Sequence, residues 1–324
     1  MVHHIARRPL LAGMAGLGLA GPALAQGSAA ARPITIIVPF APGGSTDIVS
    51  RLLAERMTAL LGQPVQVENR AGANTIIGAE FVARARPDGH TLLMAAGTTL
   101  TINPVIVPNL PYKLEDFAPV MLATTFPFGI ITQMRGGAVD VPAWVAAAKA
   151  RPGQMTYGTN GPTTLTNVAM LMVMERLGIT MQDVTYRGDS AQLAAFMAGD
   201  LDVLVVSGGT AQPVHRDGRG RLIAWTSARR ITSTPDVPSI AEFAPGLDVL
   251  SWFGLLAPAR TPADMVQRVN SAANEALKDE QIRERLITEG QFLAGGSPED
   301  FAGFLSRSDT QWRPILSKLN VPRN

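Results

Sequence analysis

The sequence has 324 residues, of which 46% are hydrophobic and 17% are charged, enough for one large domain or two of ordinary size. It contains no cysteine, which excludes disulfide frameworks and thiol chemistry. The formal net charge of +2 comes from Arg7 and Arg8, since the other basic and acidic residues are equal in number. No block of Lys and Arg occurs, so the charge pattern does not indicate nucleic-acid binding.

The first segment, MVHHIARRPLLAGMAGLGLAGPALAQG, has the three parts of a secretory signal. A basic pair, Arg7-Arg8, precedes an uncharged run from Pro9 to Leu24, and the small residues of Ala23-Leu24-Ala25 close that run. We therefore expect residues 1–25 to be a signal peptide, cleaved near Ala25/Gln26, and the product to be periplasmic. A membrane anchor is the alternative, although the apolar run is short and rich in Gly. The Arg pair leaves general and twin-arginine export both open.

Beyond this segment, strand-like apolar runs alternate with stretches of helical periodicity. The apolar residues from Ile48 to Leu61 share one helical face, and Gly62 with Pro64 ends that helix. The alternation predicts an α/β fold with parallel sheets covered by helices on both faces. Strands are predicted at 34–39, 65–68, 91–96, 129–133, 155–158, 184–186, 201–206 and 222–226. Consecutive helices close the chain at 262–278, 280–289, 298–306 and 310–319.

One pattern occurs twice along the chain. ITIIVPFAPGGSTDIVSRLLAERM and MTYGTNGPTTLTNVAMLMVMERLG each predict a strand, a Gly turn, hydroxyl residues and a helix. The repeat favours two doubly wound α/β lobes over a single large sheet. Ligands of such sheets bind outside the carboxyl ends of the strands, so we expect a ligand cleft between the lobes.

The turn Gly43-Gly44-Ser45 is the first candidate binding site. Glycines let backbone N–H groups converge, and the start of a helix adds unpaired N–H groups and a partial positive charge. Together they can hold a carboxylate or phosphate without a basic side chain. The alternative is a plain tight turn with Ser45 as the helix cap. No Lys follows these glycines and the turn lacks the G-x-G-x-x-G pattern, so it is not a nucleotide loop.

Asp47 lies in the first turn of the same helix, where the helix dipole favours a carboxylate. It would repel an anion bound at that point. Two interpretations remain open, a partner of the turn itself or a contact to a ligand ammonium, hydroxyl or bridging water.

Further polar clusters follow other predicted strands, at the end of the sheet where we expect the ligand. Arg187 is the one cation among them, and a surface salt bridge is its alternative role. The clusters are Asn74 and Thr75, Thr98 and Thr99, the second Gly turn with Thr159, Asn160, Gly161, Thr163 and Thr164, and the run Arg187, Gly188 and Asp189.

The residues offer no set of catalytic groups. His90 and His215 are the histidines that remain after the signal, and no H-E-x-x-H, G-x-S-x-G or S-x-x-K motif occurs. We therefore predict no enzyme activity, no metal and no cofactor. Acid–base chemistry by a pair of carboxylates stays open as an alternative.

Five stretches of the sequence resemble the Bug-type solute-binding proteins of tripartite tricarboxylate transporters. The resemblance covers essentially the whole chain after the signal, in order. The stretches are ITIIVPFAPGGSTDIVSRLLAERM, LGQPVQVENRAGANTIIGAEFVARARPDGHTLLMA, VDVPAWVAAAKARPGQMTYGTNG, TPDVPSIAEFAPGLDVLSWFGLLAPARTP and the closing QWRPI.

The resemblance implies a periplasmic receptor that binds a small organic carboxylate between two α/β lobes and delivers it to a two-subunit membrane permease. We expect the receptor to be a monomer. It also implies that Phe40, Ala41 and Asp47 belong to the first binding loop, and that the second begins at Tyr157. There the sequence departs from the family's Y-G-S-A-G-N-G-T-P-S-H-L-A, because Thr163, Leu165 and Asn167 replace Gly, Pro and His. The loop keeps its length, and the sequence does not name the carboxylate.

We expect the first lobe to comprise 33–125 and 250–324 and the second lobe 126–249. Two functions besides transport stay open. One is a secreted hydrolase or transferase that uses a carboxylate pair, and the other is a ligand-sensing partner of a membrane receptor.

Overall fold

The structure, a computed structural model, describes Met1, residues 32–186 and residues 188–318. The chain divides into Met1–Ala31 and the compact unit Arg32–Asn324. The predicted signal peptide and Arg187 lie outside the described residues. Within those ranges, no helix has both the length and the hydropathy needed to cross a bilayer.

The strands follow the predicted apolar runs, with two large additions. The first half of β4 and the whole of β9 were not predicted. The strands are β1 Ile34–Val38, β2 Val65–Asn69, β3 Thr91–Ala96, β4 Phe117–Thr132, β5 Thr156–Thr159, β6 Gln182–Thr185, β7 Val203–Ser207, β8 Arg221–Trp225, β9 Leu250–Pro258 and β10 Phe292–Leu293.

Helices connect most of these strands and close the chain. The predicted pair at 298–306 and 310–319 is one continuous helix, α10, which includes Pro314. The helices are α1 Ser45–Leu61, α2 Ile76–Ala83, α3 Asn103–Ile106, α4 Val141–Ala150, α5 Leu165–Leu177, α6 Asp189–Ala198, α7 Gly208–Arg216, α8 Ala263–Ala276, α9 Glu280–Thr288 and α10 Pro298–Lys318.

The strands form one continuous sheet in the order β2-β1-β3-β9-β4-β7-β5-β6, with β8 and β10 also paired to β4. We call β1, β2, β3, β9, β10 and β4 through Pro127 the first sheet half, and β5 to β8 with β4 from Phe128 the second sheet half. β4 pairs with β9 as far as Pro127, and with β7 and β8 from Phe128 and Gly129. One long strand therefore belongs to both halves.

The prediction of purely parallel sheets is wrong in part. β1 runs parallel to β2 and β3, and β5 runs parallel to β6 and β7, as the alternating pattern predicts. β9 and β4 are antiparallel to their neighbours. An antiparallel pair does not require a helical crossover between its strands, so the alternation of strand and helix patterns does not reveal that β9 and β4 run the other way.

The helix α1 shows why the first half folds as predicted. Its inner face buries Val49, Leu53 and Met57 against β1 and its neighbours. Gly62 ends it in the left-handed conformation, and its N–H is donated to the carbonyl of Thr58. The result is a rigid element whose N-terminus points at the carboxyl end of β1.

Candidate functional site

The turn between β1 and α1 presents open backbone. Gly43 has φ 84°, in the region that favours glycine, and Gly44 occupies the N-cap position without a side-chain cap. A Cβ atom added at Gly43 would meet nothing within 4 Å, and one at Gly44 would meet only the Ala41 carbonyl at 3.9 Å. The first N–H groups of α1 have no partners within the helix. The turn therefore leaves room and donors for an anion at its outer surface.

Asp47 braces this turn from inside. Its carboxylate is 4% exposed and accepts hydrogen bonds from the Gly43 N–H (3.0 Å), Arg51 Nε (2.9 Å) and Asn69 Nδ2 (2.9 Å). Burial opposes ionisation, but the bonds from Arg51, Gly43 and Asn69 outweigh it and hold the pKa of Asp47 below its ordinary value. Asn69 also donates to the Phe40 carbonyl (3.1 Å). The contacts of Asp47 are thus those of a partner of the turn, the first of its two interpretations.

The turn after β5 is tied down in a similar way. Gly161 has φ 129°, and its carbonyl accepts a hydrogen bond from Thr164 Oγ1 at 2.7 Å. Asn167, which replaces the family's His, is 3% exposed. It accepts from the Tyr157 hydroxyl (2.7 Å) and donates to the Pro162 carbonyl (2.7 Å). Asn167 therefore supports the loop from behind.

Asp189, the first residue of α6, lies directly after Gly188 and accepts several hydrogen bonds. Its carboxylate accepts from Asn160 Nδ2 (3.0 Å), Ser207 Oγ (3.1 Å) and Thr210 Oγ1 (3.3 Å). Asn160 belongs to the turn after β5 and Ser207 to the end of β7, so one carboxylate joins three strand-end segments.

The segment Ser207-Gly208-Gly209-Thr210 also lies at the cleft and was not predicted as part of the site. It follows the buried strand β7 and opens α7. The signal was present, since an apolar run, two glycines, a hydroxyl residue and a helix repeat the order seen at Gly43-Gly44-Ser45. Pro213 inside the following helix masked it, because Pro is unfavourable in a helix interior.

Among the described residues, three pairs of polar residues or backbone groups join the two sheet halves at this end of the molecule, and we call them the cleft contacts. The hydroxyls of Ser45 and Ser207 lie 2.9 Å apart. Asn74 Nδ2 donates to Thr163 Oγ1 at 3.0 Å, and the Leu165 N–H donates to Thr98 Oγ1 at 3.4 Å. Each contact uses the N-terminus of a helix or the end of a strand, as expected for a ligand site in a doubly wound fold.

The backbone beside Asn74 is strained. Ala73, Asn74 and Thr75 are consecutive non-glycine residues with φ of 44°, 50° and 75°. Each such residue costs about 1 to 3 kcal/mol, and strain of this kind clusters at binding sites and switches. Asn103 compensates by donating to the Asn74 carbonyl (2.8 Å) and to Thr75 Oγ1 (3.3 Å). With this backbone conformation the Asn74 side chain reaches Thr163 in the second sheet half.

Other predicted site residues lie away from the cleft contacts. Thr99 and Thr159 are fully buried, and Thr159 Oγ1 donates to Asp183. Tyr157 is 1% exposed, and burial, with the nearby Asp183, raises the pKa of its hydroxyl. Ala41 lies exposed on the first turn, and Phe40 packs half-buried beneath it.

Comparison with known proteins adds the family. The model of the tripartite tricarboxylate transporter family receptor matches residues 49–321. The chain is 34% identical over 326 residues to the UPF0065 protein in the tcbD-tcbE intergenic region of Pseudomonas sp. (strain P51), covering 99% of this chain and 97% of that one. It is 31% identical over 306 residues to the protein BugT of Bordetella pertussis, covering 94% of each.

Solved structures agree with these relatives. MatC (Rpa3494) from Rhodopseudomonas palustris with bound malate is 29% identical with a TM-score of 0.81, over 88% of this chain and 99% of that one. Rpa4515 of R. palustris with adipate is 26% identical with a TM-score of 0.85, over 89% of this chain and 97% of that one. The two-lobe α/β fold of periplasmic binding proteins is therefore the fold of this chain, and the chain belongs to the tripartite tricarboxylate transporter receptor family, as its resemblance to the Bug-type proteins predicted.

Proposed function

We propose that this chain is a periplasmic receptor that closes two lobes on a small organic carboxylate and delivers it, unchanged, to a two-subunit membrane permease. The observation that carries the proposal is the set of cleft contacts, in which helix N-termini and strand ends of the two sheet halves face each other. A ligand between them would touch both halves at once. A ligand favours the closed form only by binding it more tightly than the open form.

The chemistry of the cleft contacts supports an anionic ligand. Gly43 and Gly44 leave the backbone of the first turn uncovered, and Ser45, Thr163 and Ser207 supply neutral hydroxyls. Several short neutral donors at helix N-termini stabilise a carboxylate without a fixed cation. Hydrogen bonds of this kind to a charged acceptor are worth about 1.5 to 3 kcal/mol each.

The relatives support a carboxylate as the substrate class. One solved structure at 29% identity has bound malate and another at 26% has adipate. Both ligands are dicarboxylates, although they differ in length and in the hydroxyl of malate. The altered second loop of this chain, with Thr163 in place of Gly, leaves the choice among such acids to experiment.

We assign residues 33–125 and 250–324 to the first lobe and 126–249 to the second. The pairing of the sheet supports these limits, because β4 exchanges β9 for β7 and β8 after Pro127, and β9 begins at Leu250. The same proposal includes export, with cleavage near Ala25/Gln26, and a monomeric receptor.

The test is calorimetry with the purified protein and a panel of malate, adipate, benzoate, glutamate, glucose and spermidine. We expect one or more of the acids to bind, and the ligand to be recovered unchanged. A saturating acid should raise the free energy of unfolding by about 2.7 kcal/mol at a hundredfold excess over Kd. Binding of glucose or spermidine alone would overturn the proposal.

A further inference from the structure

Trp252 holds a hydrogen-bond donor that the fold itself does not use. The side chain lies in β9, next to the end of β3, and is 2% exposed. Among the residues that the structure describes, its indole Nε1 has no hydrogen-bond partner. A buried N–H group without a partner is unfavourable and rare in native proteins, so its position calls for an explanation.

The indole ring is fixed in place by its neighbours. Phe301 and Phe304 of α10 contact it edge to face, with ring centroids 5.5 Å and 5.9 Å away. Such packing leaves the ring little freedom to turn and find a partner elsewhere. The N–H group therefore keeps one direction.

That direction is toward the cleft contacts. A Cβ atom added at Gly97 would lie 3.5 Å from Trp252 Nε1, 3.5 Å from Ser251 Oγ and 2.9 Å from Leu165 Cδ2. Gly97 directly precedes Thr98, whose hydroxyl accepts a hydrogen bond from the Leu165 N–H across the cleft. Trp252 Nε1 and Ser251 Oγ therefore both lie close to the place where a side chain of residue 97 would begin, and glycine leaves that place empty. The Leu165 side chain of the second sheet half covers it.

We infer that Trp252 Nε1 and Ser251 Oγ form a subsite for a second oxygen-bearing group of the ligand. This inference rests on the proposed function and narrows its substrate class. One carboxylate would bind at the turn around Gly44, and the subsite would accept the other end of a dicarboxylate while the Leu165 side chain moves aside. Oxygen at this point satisfies the buried N–H, so acids with polar groups at both ends are preferred over acids with one.

The chain offers a matched control in Trp144. This residue of α4 is also fully buried, and its Nε1 likewise has no partner among the described residues. It packs in the larger core cluster with residues of α5, whereas Trp252 packs against α10 in a second cluster. Trp252→Phe and Trp144→Phe each remove one unpaired N–H and keep an aromatic ring, but only the first removes a donor at the cleft.

The experiment measures Kd by calorimetry for the wild type, Trp252→Phe, Trp144→Phe and Ser251→Ala. The probes are malate, adipate and terephthalate, each paired with its monocarboxylate, 2-hydroxybutyrate, hexanoate or benzoate. We expect Trp252→Phe to weaken dicarboxylate binding about tenfold, the loss of one hydrogen bond to a charged acceptor. Monocarboxylate binding should change by less than about twofold, and Trp144→Phe should leave every Kd unchanged.

The indole resonances of wild-type protein give a second readout that does not depend on a variant folding. Addition of a dicarboxylate should shift the Trp252 indole N–H signal and leave the Trp144 signal in place. Equal dicarboxylate affinities of Trp252→Phe and wild type, or equal losses for both members of an acid pair, would overturn the subsite and leave the proposed receptor standing. Failure of the wild type to bind these acids or glutamate would overturn both.

Discussion

The hydroxyls of Ser45 and Ser207 lie 2.9 Å apart although 162 positions of sequence separate them. Ser45 begins α1 in the first sheet half, and Ser207 caps α7 in the second. Gly209 makes the approach possible, because a Cβ atom there would lie 2.8 Å from Ser45 Oγ. Two glycine turns of the same pattern therefore lie against each other, one from each sheet half.

Asn74→Ala should shift the molecule toward a more open form. Asn74 Nδ2 donates to both Thr163 Oγ1 (3.0 Å) and the Thr163 carbonyl (3.3 Å), so the change removes a polar link between the halves. We expect a larger radius of gyration by solution scattering and dicarboxylate binding weakened by about 1 kcal/mol. Gln66→Ala is the control, since Gln66 donates to Thr35 within the first half. Equal scattering from both variants would contradict the prediction.

Gly44→Val should block the first turn without harming the fold. Gly44 has φ −81°, which any residue tolerates, and a Cβ atom there meets only the Ala41 carbonyl at 3.9 Å. The branched side chain would occupy the space in front of the helix N-terminus. We expect carboxylate affinity to fall by about 2 kcal/mol, measured by calorimetry, with an unchanged thermal midpoint.

Gly161 gives the contrast to Gly44. Its φ of 129° is strained for any L side chain, so Gly161→Ala should lower the free energy of unfolding by about 1 to 3 kcal/mol. A loss of binding in that variant has to be separated from its loss of stability by chemical denaturation. If Gly44→Val binds the carboxylate as tightly as the wild type, the first turn does not take part in ligand binding.

Asp47→Ala should destabilise the protein in a pH-dependent way. The carboxylate accepts three hydrogen bonds, and its pKa is held below the ordinary value of 3.8. Its contribution, about 2 kcal/mol, is therefore present above pH 3.8 and is lost as the pH falls through the lower pKa of the folded state. Urea denaturation at pH 7 and at pH 3 measures it, and a variant equally destabilised at both would contradict the assignment.

Asn167→Ala tests the residue that departs most visibly from the family pattern. The change leaves the Tyr157 hydroxyl and the Pro162 carbonyl without their partner in the interior. We expect the free energy of unfolding to fall by about 3 kcal/mol, measured by urea denaturation. Thr166→Val, on the same turn of α5, is a control for packing, although Thr166 shares a hydrogen bond with Thr164. A loss below that of the control would show that Asn167 does not support the loop.

Glu289→Gln should flatten part of the pH dependence of stability. Glu289 is 5% exposed, and burial raises its pKa above the ordinary value of 4.5 despite the ion pair with Arg285. Because the folded state holds this proton more tightly than the unfolded state, the wild type loses stability as the pH rises from 4.5 to the higher folded pKa. The Gln variant should lack that loss. The measurement is the slope of the free energy of unfolding against pH, obtained by urea denaturation. The absolute stability does not test the prediction, because the variant also loses its ion pair with Arg285.

Local pattern predicted α1, β3 and the turn around Gly44 because each obeys its own rule of periodicity or turn chemistry. β4 was largely missed since Pro119 and Pro127 interrupt it, and Pro is unfavourable inside a strand. In the pairing of β4 with β9, the register shifts between Pro119 and Met121 and again between Leu122 and Thr124. Such irregularities let a strand continue past a residue that does not fit a regular ladder. The Ser207 turn repeats the Gly43-Gly44-Ser45 pattern but was masked by Pro213. The Trp252 donor could not be predicted, because it depends on which distant segments meet.

The pairing of β4 with β9 limits how the lobes can move. Both crossings of the chain between the sheet halves run through these two neighbouring strands, at Phe126 to Phe128 and at Leu250 to Ser251. Two separate linkers would let the halves swing and slide, whereas a paired ribbon mainly twists. Closing of the lobes then changes mainly one angle between the sheet halves, so that Ser45 returns to Ser207 each time a ligand is bound. Such a joint also allows a residue of the ribbon itself, such as Pro127, to set the resting angle and hence the affinity.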